Sequence, residues 1–175
     1  MAKQSDLIFL GDSLTDFHDW SAFGEHHNAG IAGDTTDGLL YRLHYTLDKR
    51  PETVVLMIGI NDLLQGQPIE KMEQNYARIL EQMEDIHTVV ILALLPVKAV
   101  PETAAINNDI RELNTYLQKE SQQRGYTFVD LYSLMADETG GLKERYSSDG
   151  VHLTPAAYRV WEEALGMFLQ RVQRD

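Results

Sequence analysis

The chain contains no cysteine, and this absence removes several kinds of chemistry at once. Without a thiol there is no disulfide, no cysteine nucleophile and no cysteine-ligated zinc site. Long hydrophobic runs are also missing near the start, where the first apolar stretch, residues 7–10, has only the length of a strand. A signal-peptide core needs about 7–15 apolar residues and a membrane span about 20. The sequence therefore predicts a soluble cytoplasmic protein without stable membrane association.

Basic residues are scarce, with 15 Lys and Arg against 27 Asp and Glu, which leaves a formal net charge of -12. A surface this acidic repels phosphate backbones and anionic lipid headgroups. The charge therefore argues against nucleic acid as a partner and is compatible with a small neutral or amphiphilic substrate. Whether the chain forms a homodimer is left open.

The chain has enough apolar material for one folded unit. It has 175 residues, 43% of them hydrophobic, and it shows no low-complexity tract, internal repeat or linker-like segment. This length and composition are typical of one globular domain with a sizeable core. We therefore expect a single domain over residues 1–175.

Strand-like apolar runs alternate with helical periodicity about five times along the chain. The strand-like runs are residues 7–10, 26–34 (a short strand running into a turn), 53–58, 88–95 and 126–130. The helical segments are residues 36–47, 68–86, 106–124 and 155–172. Continuous apolar strands suit a parallel sheet, and right-handed crossovers place helices on both of its faces. The sequence predicts an α/β fold: a three-layer α/β/α sandwich with a five-stranded parallel sheet in the flavodoxin-like order 2-1-3-4-5.

The segment after the first strand is rich in aromatic residues. Residues 16–23 are predicted to form one short helix or an ordered loop, in which Phe17, Trp20 and Phe23 recur at i, i+3 and i+6. This spacing is typical of a buried stripe on a helix. We therefore favour a role in the core for the three rings over a role as the wall of a substrate pocket.

Polar residues stand directly after three of the predicted strands. Gly11-Asp12-Ser13 follows the first strand, Gly33 the second and Asn61 the third. In the order 2-1-3 these strands are neighbours, and α/β folds bind ligands at the carboxyl ends of their strands. Ser13 is therefore a candidate nucleophile, although a serine hydroxyl needs a base and an orienting acid to become reactive.

A second polar cluster, near the other terminus, can supply this base and acid. Asp149 and His152 stand three apart in a glycine-containing loop, so the carboxylate can hold one imidazole nitrogen while the other faces Ser13. The backbone N–H groups of Ser13 and Gly33 and the side-chain amide of Asn61 are candidate donors to an oxyanion. Together these residues predict acyl transfer by a Ser-His-Asp triad.

Four blocks of this sequence resemble the signature blocks of the GDSL, or SGNH, hydrolase superfamily. The blocks are Gly11-Asp12-Ser13-Leu14, Gly33, Gly59-Ile60-Asn61-Asp62 and Asp149-Gly150-Val151-His152. Residues 28–35 further resemble the second block of the platelet-activating-factor acetylhydrolase-like branch. Because the blocks occur in the family's order, the resemblance covers essentially the whole chain.

The resemblance implies a flavodoxin-like fold and a metal-independent esterase or lipase-type acyl hydrolase that needs no cofactor. It assigns Ser13 as nucleophile, His152 and Asp149 as the other triad members, and Ser13, Gly33 and Asn61 as the oxyanion donors. The family includes thioesterases, lysophospholipases, arylesterases and carbohydrate deacetylases, so the resemblance does not name a substrate.

Other residues are expected to support or border the site. Asp12 and Asp62 flank proposed active residues, and we expect them to cap and hydrogen-bond the loops that position Ser13 and Asn61. Leu14, Val97 and Leu153 are expected to border an apolar pocket suited to a short acyl or acetyl group. Since the small domain has no obvious lid or long insertion, short-chain or water-soluble esters are the favoured substrates.

Three other functions remain as alternatives. A metal-dependent phosphoesterase would use Asp12, Asn61, Asp149 and His152 as ligands, but it would leave Ser13 without a role. A phosphate- or flavin-binding module would use the first loop, where an aspartate is electrostatically unfavourable for a phosphate. The third alternative is a catalytically inert family member that acts as an interaction protein.

Overall fold

The structure, a computed structural model that describes residues 6–170, is built around one parallel sheet. Its five strands are β1 (Leu7–Gly11), β2 (His27–Gly30), β3 (Thr53–Met57), β4 (Thr88–Leu92) and β5 (Thr127–Val129). All neighbouring pairs are parallel, and the strand order is β2-β1-β3-β4-β5. The central strands are buried, as their continuous apolar sequences require. The predicted α/β fold and strand order are confirmed.

Helices cover both faces of this sheet. They are α1 (Ser13–Asp16), α2 (Thr36–Leu47), α3 (Ile60–Leu64), α4 (Ile69–Glu81), α5 (Ala104–Arg124), α6 (Leu131–Met135) and α7 (Pro155–Leu165), with 3₁₀ turns at Ser21–Phe23, Pro101–Thr103 and Glu144–Tyr146. Because crossovers are right-handed, the step from β1 to β2 lies on the opposite face from the later steps to β3, β4 and β5. In the described part of the chain, no helix is long and apolar enough to cross a membrane.

The helices differ from the predicted ones mainly at their ends and in three short elements. The sequence does not predict α1, α3 and α6, because four or five residues are too few to show a helical period. α7 ends at Leu165, earlier than predicted, since Gly166 disfavours continuation, and Phe168 beyond it is exposed. The predicted end of this helix near Val172 lies outside the described residues.

The aromatic segment after β1 departs from its predicted role at one position. Trp20 and Phe23 are buried in the core, and the Trp20 ring stacks on Phe9 with 4.5 Å between centroids. Phe17, however, is 60% exposed, so its predicted place in the core is wrong. The reason is that α1 ends at Asp16, and the i, i+3 spacing does not continue through the break that follows.

The packing of α7 beside β1 brings the two ends of the chain together. The Trp161 ring of α7 lies 5.0 Å from the Trp20 ring, and both side chains are fully buried. The Tyr158 hydroxyl of the same helix donates a 2.7 Å hydrogen bond to the Leu14 carbonyl of α1. These contacts hold the loop before α7 against the carboxyl end of β1.

Candidate active site

Ser13 lies at the first position of α1, directly beyond the end of β1. The Asp12 side chain caps this helix by accepting a 2.9 Å hydrogen bond from the Leu14 N–H. Gly11 is required at the end of the strand, because a Cβ there would lie 2.5 Å from the Met57 carbonyl oxygen. The tight strand-to-helix turn thus places the Ser13 hydroxyl at the carboxyl edge of the sheet.

The structure brings Ser13, His152 and Asp149 into one hydrogen-bonded chain. Ser13 Oγ lies 3.1 Å from His152 Nε2, and His152 Nδ1 lies 2.7 Å from Asp149 Oδ2. With its proton on Nδ1, the imidazole donates to the carboxylate and accepts from the serine hydroxyl. This geometry meets the requirements for a serine activated by an oriented base.

The loop that carries Asp149 and His152 is held by its own short-range hydrogen bonds. Asp149 Oδ1 accepts from the backbone N–H groups of Val151 at 2.8 Å and His152 at 2.7 Å. The hydrogen bond from His152 and those from the backbone hold the pKa of the Asp149 carboxyl well below its usual value. The carboxylate therefore stays ionised beside the imidazole at neutral pH.

Gly33 and Asn61 follow β2 and β3, the two strands that flank β1. Gly33 has a φ of +82°, the left-handed region that favours glycine, whereas an added Cβ would meet nothing within 4 Å. Its glycine is thus required by the backbone conformation, not by crowding within the chain. Asn61 Nδ2 donates a 2.9 Å hydrogen bond to the Asp34 carbonyl oxygen, which joins α3 to the turn that contains Gly33.

Arg42 on α2 organises this same edge of the sheet, and sequence reasoning missed it. Its Nε donates to Asp34 Oδ2 at 2.7 Å, while its Nη1 and Nη2 donate to the carbonyls of Ala29 at 2.8 Å and Gly11 at 3.0 Å. One guanidinium therefore connects the ends of β1 and β2 to the turn after Gly33. Two of its partners are backbone carbonyls, which leave no signal in the sequence.

Asp12 and Asp62, the predicted supporting residues, are both buried carboxyls at helix starts. Asp62 accepts hydrogen bonds from the Thr36 N–H at 2.9 Å and the Thr36 hydroxyl at 2.6 Å, and so ties α3 to α2. Asp12 Oδ2 is buried and has no hydrogen-bond partner among residues 6–170. Burial raises the pKa of Asp62 and raises that of Asp12 to about 7.

The family follows from comparison with known sequences. The model of the GDSL-like lipase/acylhydrolase family matches residues 9–160, a span that contains all four of the sequence blocks. The chain belongs to this family. Its members are grouped as lipases and acylhydrolases, so family membership supports hydrolysis of ester bonds as the general class of reaction.

Individual relatives of this family member are distant. An N-acylneuraminate cytidylyltransferase of Streptococcus agalactiae serotype V is 24% identical over 172 residues, which are 98% of this chain and 40% of that protein. Esterase TesA of Pseudomonas aeruginosa is 28% identical over 131 residues, 74% of this chain and 62% of TesA. The chain thus spans less than two thirds of the length of these curated relatives.

The fold is also that of solved structures in the family. The structure of a GDSL-like lipase from Bacteroides thetaiotaomicron superimposes with a TM-score of 0.82 at 23% identity. The match covers 96% of this chain and 89% of the other. At this identity the likeness shows the shared fold and does not assign a substrate.

The three residues predicted to border a pocket lie in two different environments. Leu14 and Val97 are in the core, 3% and 2% exposed, and present little surface to a ligand. Leu153 is half-buried and lines a depression of about 510 Å³ together with the exposed Phe17. A second cleft, of about 830 Å³, has Asp149 in its lining.

The residues considered as metal ligands are engaged in other contacts. Asp149 and His152 bond to each other, and Asp12 bonds to the Leu14 N–H. Across residues 6–170, no three His, Asp or Glu side chains lie together in a group that could hold a metal ion. At the carboxyl edge of the sheet, Ser13, His152 and Asp149 are therefore joined by hydrogen bonds and do not form part of a metal-ligand cluster among the described residues.

Proposed function

We propose that this family member is a serine ester hydrolase that works through an acyl-enzyme without a metal or cofactor. The observation that carries the proposal is the chain of contacts from Ser13 Oγ to His152 Nε2 at 3.1 Å and from His152 Nδ1 to Asp149 Oδ2 at 2.7 Å. Both distances are within the range expected for a nucleophile, its base and the group that orients the base.

The proposed reaction has two halves that use the same imidazole. His152 accepts the hydroxyl proton as Ser13 Oγ attacks the ester carbonyl, and it then gives this proton to the oxygen of the leaving alcohol. Water, deprotonated by His152, then attacks the acyl-enzyme, the bond between the acyl carbon and Ser13 Oγ breaks, and His152 returns the proton to Ser13 Oγ as the acid leaves. Asp149 stays ionised throughout and stabilises the imidazolium that forms in each half.

The oxyanion of each tetrahedral intermediate needs donors on the side away from the imidazole. We assign this role to the backbone N–H groups of Ser13 and Gly33 and to the side-chain amide of Asn61. The Asn61 amide has two N–H bonds. One of them donates to the Asp34 carbonyl, which sets the direction of the other.

Short-chain or water-soluble esters are the proposed substrates. Leu14 and Val97, which an open apolar channel would expose, are instead packed in the core. Neither side chain therefore opens a path for a long acyl chain. The depression beside Leu153 and Phe17 is broad and partly polar, which suits a compact substrate better than an extended lipid chain.

Hydrolysis of p-nitrophenyl esters from acetate to decanoate, with EDTA present, tests this function. We expect the wild type to prefer the shorter esters and Ser13→Ala to lose essentially all of its turnover. Ser133→Ala is the matched control, because its exposed hydroxyl donates to the Asp130 carboxylate and not to an imidazole.

Two results would contradict the proposal. Full activity in Ser13→Ala would show that Ser13 is not the nucleophile, and loss of wild-type activity in EDTA would indicate a metal enzyme. A folded wild type without activity on any ester in the series would leave two options: a substrate selected through its alcohol or sugar part, or the inert interaction protein.

A further inference from the structure

Phe17 presents an aromatic ring to solvent directly beside the proposed catalytic base. Its side chain is 60% exposed, and its ring centroid lies 5.5 Å from that of His152, with 36° between the planes. The neighbouring Trp20 and Phe23 are buried, so Phe17 is the part of this aromatic segment that a ligand can reach. An exposed ring next to reacting groups is a common anchor for a bound molecule.

The ring borders a depression between the end of α1 and the start of α7, with a volume of about 510 Å³. The floor of this depression is held by two contacts of His18. Its ring stacks on the Tyr158 ring with 4.3 Å between centroids and 4° between planes, and its Nε2 lies 2.8 Å from Glu162 Oε1. The remaining lining combines apolar and charged side chains, from Leu153, Pro155, Asp19 and Arg159.

The chemistry of the proposed reaction determines which part of an ester lies beside Phe17. His152 Nε2 must reach the oxygen of the leaving alcohol in order to protonate it. The carbonyl oxygen must instead point toward the donors that follow β2 and β3, Gly33 and Asn61. Since Phe17 contacts the imidazole ring, it is placed to contact the alcohol part of the ester.

We propose that Phe17 and the adjoining depression form a leaving-group subsite that binds an alcohol with a flat, ring-shaped apolar face. The inference rests on the proposed function and extends it to the substrate class. A flat face of a sugar or aryl ring can stack on Phe17, and the exposed Arg159 guanidinium can donate hydrogen bonds to substituents at the ring's edge.

The test compares Phe17→Ala with the wild type on three acetate esters. These esters share the acyl group and differ in the alcohol: phenyl acetate, an O-acetylated methyl pyranoside and ethyl acetate. The quantity measured is kcat/KM, because it covers the steps up to acylation, in which the alcohol is still attached. We expect a loss of about three- to tenfold on a ring ester, the size of one aromatic contact. Ethyl acetate should change by less than about twofold.

Matched variants separate the flat ring from other effects. Phe168→Ala removes another exposed phenylalanine, 52% exposed beyond the end of α7, and should leave all three values unchanged. Phe17→Tyr keeps the ring and should retain the preference, whereas Phe17→Leu keeps apolar bulk without a flat face and should lose it. The ring ester with the larger loss in Phe17→Ala identifies the sugar or the aryl group as the natural class.

Equal losses on all three acetates would overturn the subsite, because Phe17 would then act only by orienting His152. Unchanged values would overturn it as well. A changed ratio between p-nitrophenyl acetate and p-nitrophenyl butyrate in Phe17→Ala would place the acyl group, not the alcohol, on this ring and would also overturn it. Failure of the proposed function is a separate result, since it appears as activity that survives Ser13→Ala.

Discussion

Single residues of the proposed site are held mainly by hydrogen bonds to groups close to them in sequence. Asp149 is half exposed, yet its carboxylate accepts hydrogen bonds from the N–H groups of Val151 and His152. Asp12 likewise caps α1 through the Leu14 N–H. Because these contacts are local, they follow from the spacing of the motifs, and sequence reasoning alone can nominate the residues of the proposed triad.

Asn61 is the residue whose proposed role is easiest to isolate. Asn61→Ala removes the side-chain donor to the oxyanion, so we expect kcat on p-nitrophenyl acetate to fall by about 10²–10³. The protein should stay folded, because the substitution removes one side-chain hydrogen bond, to the Asp34 carbonyl. Steady-state kinetics and circular dichroism measure the two quantities.

Asn108→Ala, on the exposed side of α5, is the control for Asn61→Ala and should keep wild-type kcat. Near-complete activity in Asn61→Ala would show that this amide is not an oxyanion donor. The nucleophile and base would be unaffected by that result, since their contacts do not involve Asn61.

At the scale of elements, the site depends on turns that the hydrophobic pattern does not reveal. α1 and α3 each begin within two or three residues of the end of a strand, and each is too short to show a period. Phe17 follows the last residue of α1 and is exposed, whereas the spacing in the sequence predicts a buried stripe. Local backbone geometry therefore decided the environment of this ring.

Arg42 offers a test of how one side chain on α2 positions the edge of the sheet that carries the proposed oxyanion donors. Arg42→Lys keeps the charge, but a single ammonium cannot reach Asp34 and the carbonyls of Ala29 and Gly11 together. We expect kcat to fall about tenfold with a smaller change in KM, and the free energy of unfolding to fall by about 1–3 kcal/mol. Ester kinetics and urea denaturation measure these effects.

The matched control for Arg42→Lys is Arg78→Lys on the exposed face of α4, which should change neither quantity. If Arg42→Lys lowered stability but left kcat at the wild-type value, Arg42 would be a structural residue without a positioning role. The comparison of kcat with KM is therefore the informative readout.

At the scale of the whole molecule, the buried Asp12 couples folding to pH. Its pKa rises from the usual 3.8 to about 7 because burial disfavours the carboxylate. The folded state then holds a proton that the unfolded state releases between these values. The free energy of unfolding should therefore decrease as pH rises from about 4 to 7 and level off above that.

Asp12→Asn removes this ionisation and should make stability less dependent on pH. The free energy of unfolding of the variant, relative to that of the wild type, should rise by at most about 4 kcal/mol between pH 4 and pH 8. This is the free energy equivalent to a change in pKa from 3.8 to about 7. Urea denaturation at a series of pH values measures the free energy of unfolding of both proteins.

Other titrating carboxyls do not obscure the Asp12 comparison. Asp62, whose pKa is also raised, is present in both proteins, so its contribution cancels. The lowered pKa of Asp149 acts in the opposite direction and only below its usual value near 3.8. Parallel stability curves for Asp12→Asn and the wild type over this range would contradict the coupling.

The sequence by itself determined the class of fold and the choice of Ser13, Asp149 and His152 as candidate site residues. Each depends on a local pattern: a continuous apolar strand, a glycine at a tight turn, or a carboxylate three residues before a histidine. Such patterns can be recognised in the sequence because the interacting groups are neighbours along the chain.

Only the tertiary structure decided how distant segments meet. The packing of Trp161 on Trp20 sets His152 against Ser13, and Arg42 binds carbonyls from two strands. The exposure of Phe17 likewise depends on where α1 ends and α7 begins. The sequence predicted that His152 faces Ser13, but not the packing that brings the two residues together. The carbonyl partners of Arg42 carry no residue identity, so no pattern along the chain predicts those contacts.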